Sequence, residues 1–283
     1  MNVSQPIRRR WARAAIASFA CLALGSGLLG MRSAVAAGEL LINGTGSGTG
    51  GMQLVAQAFM QANPEIRVVV QPAIGSAGGI RAVAAGKLSI ALSNREPNEA
   101  DRASAELVSL EYARTPFVVA VHKNLGLMTL TGDQLAALFS PGATYPNGQR
   151  ARPVLRRSDT VDTQLLKSMA AALPAAIDAA SERRGMLDAA TDSEAADMIT
   201  NTPGAFAAST LALIAAERRS FVALTIDGRE PTVEALAKGS YPYYKRLFAI
   251  TPKLQSPDVI RFLAFLRNPA TQALLRANGH LPL

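Results

Sequence analysis

The chain has 283 residues, of which 18% are charged, 49% are hydrophobic and 5% are aromatic. The formal net charge of +8 overstates how basic the folded part is, because the first 36 residues hold five arginines and no acid, which leaves 24 basic residues against 21 acidic ones. With few aromatics and no basic cluster beyond short pairs, the composition excludes a nucleic-acid-binding surface and indicates a globular protein of one large domain or two lobes.

The N-terminal 36 residues have the layout of a secretory signal peptide. A basic region at residues 8–13 precedes an apolar stretch at residues 14–29, and the small residues at 34–36 form a cleavage site. We expect cleavage near Ala36 by the general export route, because Trp11-Ala12-Arg13 matches a twin-arginine signal poorly. No later stretch has the ~18 uninterrupted apolar residues of a membrane span.

The single cysteine, Cys21, falls inside this segment. The mature chain is therefore expected to lack disulfides and thiolate chemistry. A lipoprotein would use Cys21 as its acylation site, but only about seven apolar residues precede it. We favour an exported, periplasmic protein.

The mature chain begins with a strand at residues 40–43 that runs into a glycine-rich turn and then a helix. Such a junction suits an anion, because backbone N–H groups at a helix start lack partners and glycine allows close approach. Ser47, Gly48 and Thr49 are the candidate ligands. A dinucleotide-binding fold would need an acidic residue after the second strand, and a nucleotide-triphosphate loop would need a lysine; both residues are missing. A nucleophile elbow would need glycines at residues 45 and 49, and a turn without a ligand remains an alternative.

Two further strands, at residues 66–70 and 88–92, also end in small polar residues. The second precedes another glycine-rich turn with Ser76, and the third stops at Ser93 and Asn94. In an open α/β sheet, ligands bind beyond the carboxyl ends of the strands, so these side chains are expected to share one site. The alternative is that they only cap helices.

The rest of the chain continues the alternation of strands and helices. The apolar run at residues 116–121 predicts a buried strand that crosses into a second lobe. Thr131 and Gln134 form a capping box, Arg157 precedes a helix and could bind an oxyanion, and Asp192 is expected to cap a helix. A strand at residues 247–251 returns to the first lobe, and Ser256-Pro257 and Asn268-Pro269 are typical helix starts.

The order of these pieces resembles the periplasmic solute-binding proteins of bacterial ABC transporters, specifically the phosphate-binding family. The resemblance covers essentially the mature chain. It rests on the stretches at residues 44–49, 74–79 and 90–94, on Arg157-Ser158-Asp159 followed by Thr163, on Thr202-Pro203-Gly204-Ala205-Phe206, and on Tyr241-Pro242.

The resemblance implies an α/β protein with a two-lobed periplasmic-binding-protein-like fold, each lobe a mixed sheet flanked by helices, joined by two crossing strands. Lobe I would comprise residues 38–116 and 246–283, and lobe II residues 117–245. Hinge closure would enclose the anion. By position, the resemblance places these residues at the ligand: Ser47, Gly48, Thr49, Ser76, Ser93, Asn94, Arg157 and Thr163.

The chain departs from the family at Asn94 and, next to Thr163, at Val161 and Asp162, where Val161 replaces a serine. Asn94 stands where the family has an aspartate, whose carboxylate can accept a hydrogen bond from the acidic proton of hydrogen phosphate. Asp162 replaces a glycine, and a carboxylate ~4 Å from an oxyanion would cost about 4 kcal/mol at an effective dielectric constant near 20. Asp162 therefore points away as a helix N-terminal acid, or pairs with Arg157, or the ligand is not a phosphate dianion.

The sequence thus predicts a non-enzymatic, monomeric binding protein that presents a small oxyanion, most simply phosphate, to an ABC permease in the inner membrane, with neither cofactor nor metal. A sensor that uses the same lobes to signal without transport is the first alternative. A secreted serine hydrolase using Ser47 or Ser76 is the second, and only His122 or His280 could assist its serine.

Overall fold

The computed structural model describes residues 38–283, so the predicted signal peptide and Cys21 lie outside the described residues. The helices and strands alternate over most of this range, as the sequence predicts. The strands are β1 (Gly38–Gly44), β2 (Ile66–Val70), β3 (Ile90–Ser93), β4 (Leu107–His122), β5 (Thr129–Leu130), β6 (Arg152–Leu155), β7 (Leu187–Asp188), β8 (Ala205–Thr210), β9 (Phe221–Ala223), β10 (Thr225–Ile226), β11 (Tyr244–Pro252) and β12 (Leu281–Pro282). The helices are α1 (Gly46–Ala62), α2 (Gly75–Ala84), α3 (Glu99–Ser104), α4 (Gly132–Ala137), α5 (Val161–Ser168), α6 (Leu173–Ser181), α7 (Asp192–Asn201), α8 (Leu211–Ala216), α9 (Val233–Ala237), α10 (Pro257–Leu266) and α11 (Pro269–Ala277).

Most of the strands form one mixed sheet in the order β2-β1-β3-β11-β4-β8-β6-β7. Strands β1, β2 and β3 are parallel, β11 runs antiparallel to β3 and β4, and β6 is parallel to β7 and β8. β9 and β12 also pair with β4, and β5 and β10 form a separate parallel pair. The fold class predicted from the sequence is confirmed.

The long strand β4 connects two halves of the molecule. Its residues 107–116 pair with β11, and its residues 117–122 pair with β8 and β9. The buried apolar side chains divide at the same point. One group of clusters uses residues 40–113 and 247–275, and the other uses residues 117–226. We call these halves lobe I and lobe II.

Aromatic side chains occupy the centre of each lobe. In lobe I, the ring of Phe59 from α1 packs edge-on against Phe262 and Phe265, with centroids 5.0 and 5.3 Å apart. In lobe II, Phe206 from β8 packs against Phe139 at 5.1 Å. Edge-to-face pairs of this kind add to the stabilisation that burial of the rings provides.

The glycine-rich stretches are helical, which corrects the prediction of two turns. Helix α1 starts at Gly46 and α2 at Gly75, several residues earlier than expected. The glycines in α1 serve close packing: a Cβ on Gly51 would lie 2.5 Å from Cε1 of His280, and one on Gly48 would lie 2.9 Å from the Tyr112 hydroxyl. Hydrophobic periodicity does not reveal the first turns of these helices, because glycine has no side chain to contribute to the pattern.

Several predicted helix starts are confirmed, and one is wrong. Thr131 and Gln134 form the expected capping box of α4. Ser256 and Asn268 cap α10 and α11, each followed by proline. Asp192, however, is the first residue of α7. The side chain of Thr191 caps that helix by accepting a hydrogen bond from the Glu194 N–H, which leaves the Asp192 carboxylate free for other partners.

Candidate functional site

The carboxyl ends of β1 and β3 bring the starts of α1 and α2 together in lobe I. The backbone N–H of Thr45 donates to the Leu92 carbonyl at 2.9 Å, and that of Ile74 donates to the Gly44 carbonyl at 3.0 Å. These bonds place the first residues of both helices at one edge of the sheet. Parallel strands have their carboxyl ends at the same edge of a sheet, so the sequence predicts this location for the helix starts.

The three candidate residues on α1 are buried and differ in what they contact. The Ser47 hydroxyl accepts a hydrogen bond from the Lys245 ammonium group at 3.1 Å. The Thr49 hydroxyl donates to the Thr45 carbonyl one turn earlier, at 3.1 Å, so it is used inside the helix. Gly48 lies against Tyr112. Of the three, Ser47 has the side chain that reaches across to another element.

Ser76 and Asn94 lie together, as the strand ends predict. The Ser76 hydroxyl accepts the backbone N–H of Asn94 at 3.0 Å, and the Asn94 side-chain oxygen is buried without a hydrogen-bond partner. Ser93 is also buried, but its hydroxyl donates to the Arg95 carbonyl at 2.6 Å and accepts the Arg95 N–H at 3.1 Å. Ser93 therefore closes a local turn and contributes no free donor.

The structure does not bring Arg157 to the site, contrary to the prediction. Its side chain is 74% exposed, and its guanidinium group forms two hydrogen bonds with Asp159, at 2.6 and 3.2 Å. The side chain of the preceding residue, Arg156, is only 8% exposed and lies near Asp192. The Thr163 hydroxyl donates to the Arg156 and Arg157 carbonyls, at 3.1 and 2.9 Å, so it fixes the loop that carries both arginines. Asp159 gives Arg157 a carboxylate partner only two residues away, which explains its outward position.

A buried group of four charged side chains lies where the lobes meet. Lys245 from β11 is fully buried, and its Nζ lies 2.7 Å from Asp162 Oδ1 and 2.5 Å from Asp192 Oδ1. Arg156 Nη1 lies 3.6 Å from the same oxygen of Asp192. Thr45, just before α1, donates its hydroxyl to Asp192 Oδ2 at 2.9 Å. We call these four charged residues the ion cluster; its formal charge is zero.

Not all of the polar atoms in the ion cluster are satisfied. Arg156 donates through Nη2 to the Ala190 carbonyl at 3.1 Å, whereas its buried Nε and Nη1 have no hydrogen-bond acceptor. A cavity of about 10 Å³ adjoins Arg156, Asp162 and Thr163, which is room for about one water. Buried N–H donors normally have a hydrogen-bond acceptor. The two unpaired donors of Arg156 are therefore available to an acceptor from outside the chain.

The two carboxylates of the ion cluster differ in acidity. Burial alone would raise the pKa of Asp192, but the charges of Lys245 and Arg156 and the hydrogen bonds from Lys245 and Thr45 outweigh it and hold that pKa below the usual range. Burial raises the pKa of Asp162, the charge of Lys245 opposes it, and the nearby charge of Asp192 reinforces it. Asp162 is therefore the member that takes up a proton first.

The surroundings of Asp162 differ from what the sequence predicts. It is an acid in the first turn of α5, as one of the explanations has it, but its side chain is only 4% exposed and lies within the ion cluster. It pairs with Lys245 and not with Arg157. Lys245 is not among the residues predicted from the sequence.

The residues that sequence reasoning missed are Thr45, Arg156, Asp192 and Lys245. Lys245 carried one usable signal: it lies two residues before Leu247, which faces the core, so the alternation of a strand places it on the buried side. Arg156 follows Leu155 at the end of β6, and nothing in its residue type distinguishes it from Arg157. The role of Asp192 depends on its distance from residues in the other lobe.

The histidines do not form an arrangement for serine hydrolysis. His280 is fully buried, its Nδ1 lies 2.8 Å from the Asn278 carbonyl, and burial lowers its pKa to about 4. The Nδ1 of His122 accepts the backbone N–H of Asn124 at 3.2 Å. The Ser47 hydroxyl is bonded to Lys245 and that of Ser76 to Asn94. Neither serine is hydrogen-bonded to a histidine.

Within residues 38–283, no three His, Cys, Asp or Glu side chains are grouped so that they could hold a metal ion. No helix in that range combines the length and apolar character that crossing a membrane requires.

Comparison with known proteins agrees with this architecture. The chain is 24% identical over 254 residues to the phosphate-binding protein PstS of Bacillus subtilis (strain 168), an alignment that covers 88% of this chain and 82% of the relative. A Clostridium perfringens protein described as a phosphate ABC transporter substrate-binding protein, crystallised with phosphate, superposes with a TM-score of 0.69 at 18% identity, covering 87% of this chain and 99% of that one. The periplasmic molybdate-binding protein of Azotobacter vinelandii superposes with a TM-score of 0.57 at 12% identity, covering 86% and 98% of the two chains.

A family model provides the assignment. The model for the PBP superfamily domain matches residues 32–269, which is most of the chain. The two named solved structures superpose over 87% and 86% of this chain, so they share its fold. This chain belongs to the PBP superfamily.

Proposed function

We propose that this chain is the periplasmic solute-binding component of an ABC transporter and that it binds a small oxyanion, phosphate, between its two lobes. The Bacillus subtilis relative is named as phosphate-binding, and the Clostridium perfringens structure contains phosphate. The fold and the donors in and around the ion cluster support the same solute class for this chain. The predicted signal peptide supports export.

The observation that carries the proposal is the pair of buried cationic side chains, Arg156 and Lys245. Both are at most 8% exposed, and Arg156 has two buried nitrogens without acceptors. The Ser47 and Thr45 hydroxyls lie at the start of α1, next to Lys245 and Asp192 respectively. Ammonium, guanidinium and hydroxyl donors near a helix start are the groups that bind phosphate in proteins.

The proposed ligand set differs from the one inferred from the sequence. Ser47 remains in it, with Ser76 and the unpaired Asn94 oxygen at the adjoining edge of lobe I. Arg156 and Lys245 supply the positive charge in place of Arg157. Thr49, Ser93 and Thr163 hold the local structure of their own segments through the hydrogen bonds described above. Gly48 allows α1 to pack closely against Tyr112.

The proposed mechanism requires binding and closure but no covalent chemistry. The solute is held by hydrogen bonds from both lobes, and closing of the lobes presents it to a permease in the inner membrane. Lys245 is ion-paired with Asp162 and Asp192, so it donates to Ser47 as an ammonium group and does not act as a base toward it. The Ser76 hydroxyl accepts the Asn94 N–H, and we infer that both serines act as hydrogen-bonding groups. The protein needs neither cofactor nor metal for this role, and we expect it to work as a monomer.

Isothermal titration of the purified protein with phosphate, sulfate and molybdate tests this proposal. We expect heat with phosphate, and a loss of affinity of at least tenfold in Arg156→Gln, since hydrogen bonds to a charged group contribute about 1.5–3 kcal/mol. Arg157→Gln tests the sequence-based assignment directly and should lose less. The control is Arg261→Gln, because Arg261 forms an exposed pair with Glu65 on lobe I. Absence of heat with all three anions would overturn the proposal.

A further inference from the structure

The Asp192 carboxylate has the set of contacts that a bound oxyanion would have. One oxygen accepts the Thr45 hydroxyl at 2.9 Å. The other contacts the Lys245 ammonium group at 2.5 Å and lies 3.6 Å from Arg156 Nη1. These donors come from the start of α1, from strand β11 and from the end of β6. The carboxylate therefore uses the same hydroxyl and cationic groups that the proposed function assigns to the solute.

The position of Asp192 in its helix strengthens this contact. It is the first residue of α7, a helix of 10 residues, and Thr191 provides the side-chain cap. The start of α7 lies against the start of α1, since a Cβ on Gly46 would lie 2.7 Å from the Ser193 hydroxyl oxygen. Asp192 thus brings a negative charge from lobe II directly to the start of a lobe I helix, where the helix dipole favours an anion.

We propose that Asp192 is an internal anion that occupies the solute position and holds the lobes together until a solute displaces it. The ligand-binding part of this inference rests on the proposed function, whereas the lobe contact does not. While Asp192 is in place, it accepts the Thr45 hydroxyl and contacts the Lys245 ammonium group, so a solute cannot use those donors. Binding therefore requires the Thr45–Asp192 and Lys245–Asp192 contacts to break and the lobes to separate before they close on the solute.

Charge favours this exchange over simple addition. The ion cluster is neutral with both carboxylates ionised, so an added phosphate would put uncompensated negative charge into a buried site. Once Asp192 leaves, Lys245, Arg156 and Asp162 together carry +1, and protonation of Asp162 raises this to +2. The exchange replaces one anion with another on the same cations, and Asp192 sets how strongly a solute must bind in order to compete.

The test compares Asp192→Asn with Asp197→Asn. The asparagine keeps the size of the side chain and its acceptor for Thr45 but removes the charge. Asp197 lies on the same helix, where its exposed side chain pairs with Arg219, and it serves as the matched control. Phosphate affinity is measured by titration calorimetry. The radius of gyration is measured by small-angle X-ray scattering in buffer that contains chloride as its only anion.

We expect Asp192→Asn to bind phosphate at least tenfold more tightly than the unmodified protein and to have a larger radius of gyration in chloride buffer, with Asp197→Asn unchanged in both. Equal or weaker phosphate binding by Asp192→Asn, with an unchanged radius, would overturn the inference while leaving the proposed function intact. If no variant binds phosphate, the proposed function fails, and the inference then depends on the scattering result: expansion of Asp192→Asn alone supports the lobe contact, and no expansion refutes it.

Discussion

Replacing Lys245 with methionine should destabilise the protein strongly and in a way that depends on pH. Methionine matches the length of the lysine stem but removes the ammonium group that contacts Asp162 at 2.7 Å and Asp192 at 2.5 Å. Two buried carboxylates would then share the single cation of Arg156. Breaking a buried ion pair from one side typically costs 3–5 kcal/mol, because a charge remains without compensation.

Proton uptake limits this cost. The remaining carboxylates can relieve the repulsion if Asp162 becomes protonated, and in the unfolded chain that group has its ordinary pKa of 3.8. Holding it neutral at pH 7 costs about 4 kcal/mol, and at pH 5 about 2 kcal/mol, at 1.36 kcal/mol for each pH unit. The loss of stability should therefore be roughly two to three times as large at pH 7 as at pH 5.

Urea denaturation at the two pH values measures the effect directly. Lys253→Met is the control, because Lys253 forms an exposed pair with Glu106 and such pairs contribute at most about 1 kcal/mol. The double variant Lys245→Met with Asp162→Asn should recover much of the loss, since one carboxylate then faces one cation. A loss at pH 7 no larger than that of Lys253→Met, or a loss independent of pH, would refute the reasoning.

Three further predictions concern the packing around α1. Acid should weaken the fold, because the His280 pKa of about 4 lies below its unfolded value of 6.5. As the pH falls from 6.5 to 4, the unfolded chain binds a proton that the folded chain excludes, so the unfolding free energy should drop by about 3 kcal/mol. In a denaturation series across this pH range, His280→Leu should make the unfolding free energy less dependent on pH. Gly51→Ala should cost ~1–3 kcal/mol by overpacking, because its Cβ would lie 2.5 Å from the His280 ring; a thermal melt identical to that of the unmodified protein would contradict this packing. Phe59→Ala should cost about 3–5 kcal/mol through the cavity that it leaves beside Phe262, measured by the urea midpoint, whereas substitution of the exposed Leu254 by alanine should change it little.

Local patterns in the sequence determined the element types and much of their order. These patterns act over a few residues, so they can be recognised without knowledge of the fold. They include the strand and helix periods, the capping box at Thr131 and the cap-then-proline starts at Ser256 and Asn268. The long apolar run after residue 116 likewise located the strand that joins the lobes. Ser76 and Asn94 were placed together because strand ends in a parallel sheet share an edge.

The tertiary structure alone decided which charges meet. Asp192 is 147 residues from Thr45 and 53 from Lys245, and no local pattern links positions that far apart. The choice of Arg156 over Arg157 follows from the direction in which β6 ends and from the carboxylate that Asp159 offers on the exposed side. Electrostatic contacts depend on distance in space and on burial, whereas sequence periodicity reports only which face of an element is apolar. The anion-like position of the Asp192 carboxylate therefore became visible only once both lobes were folded around it.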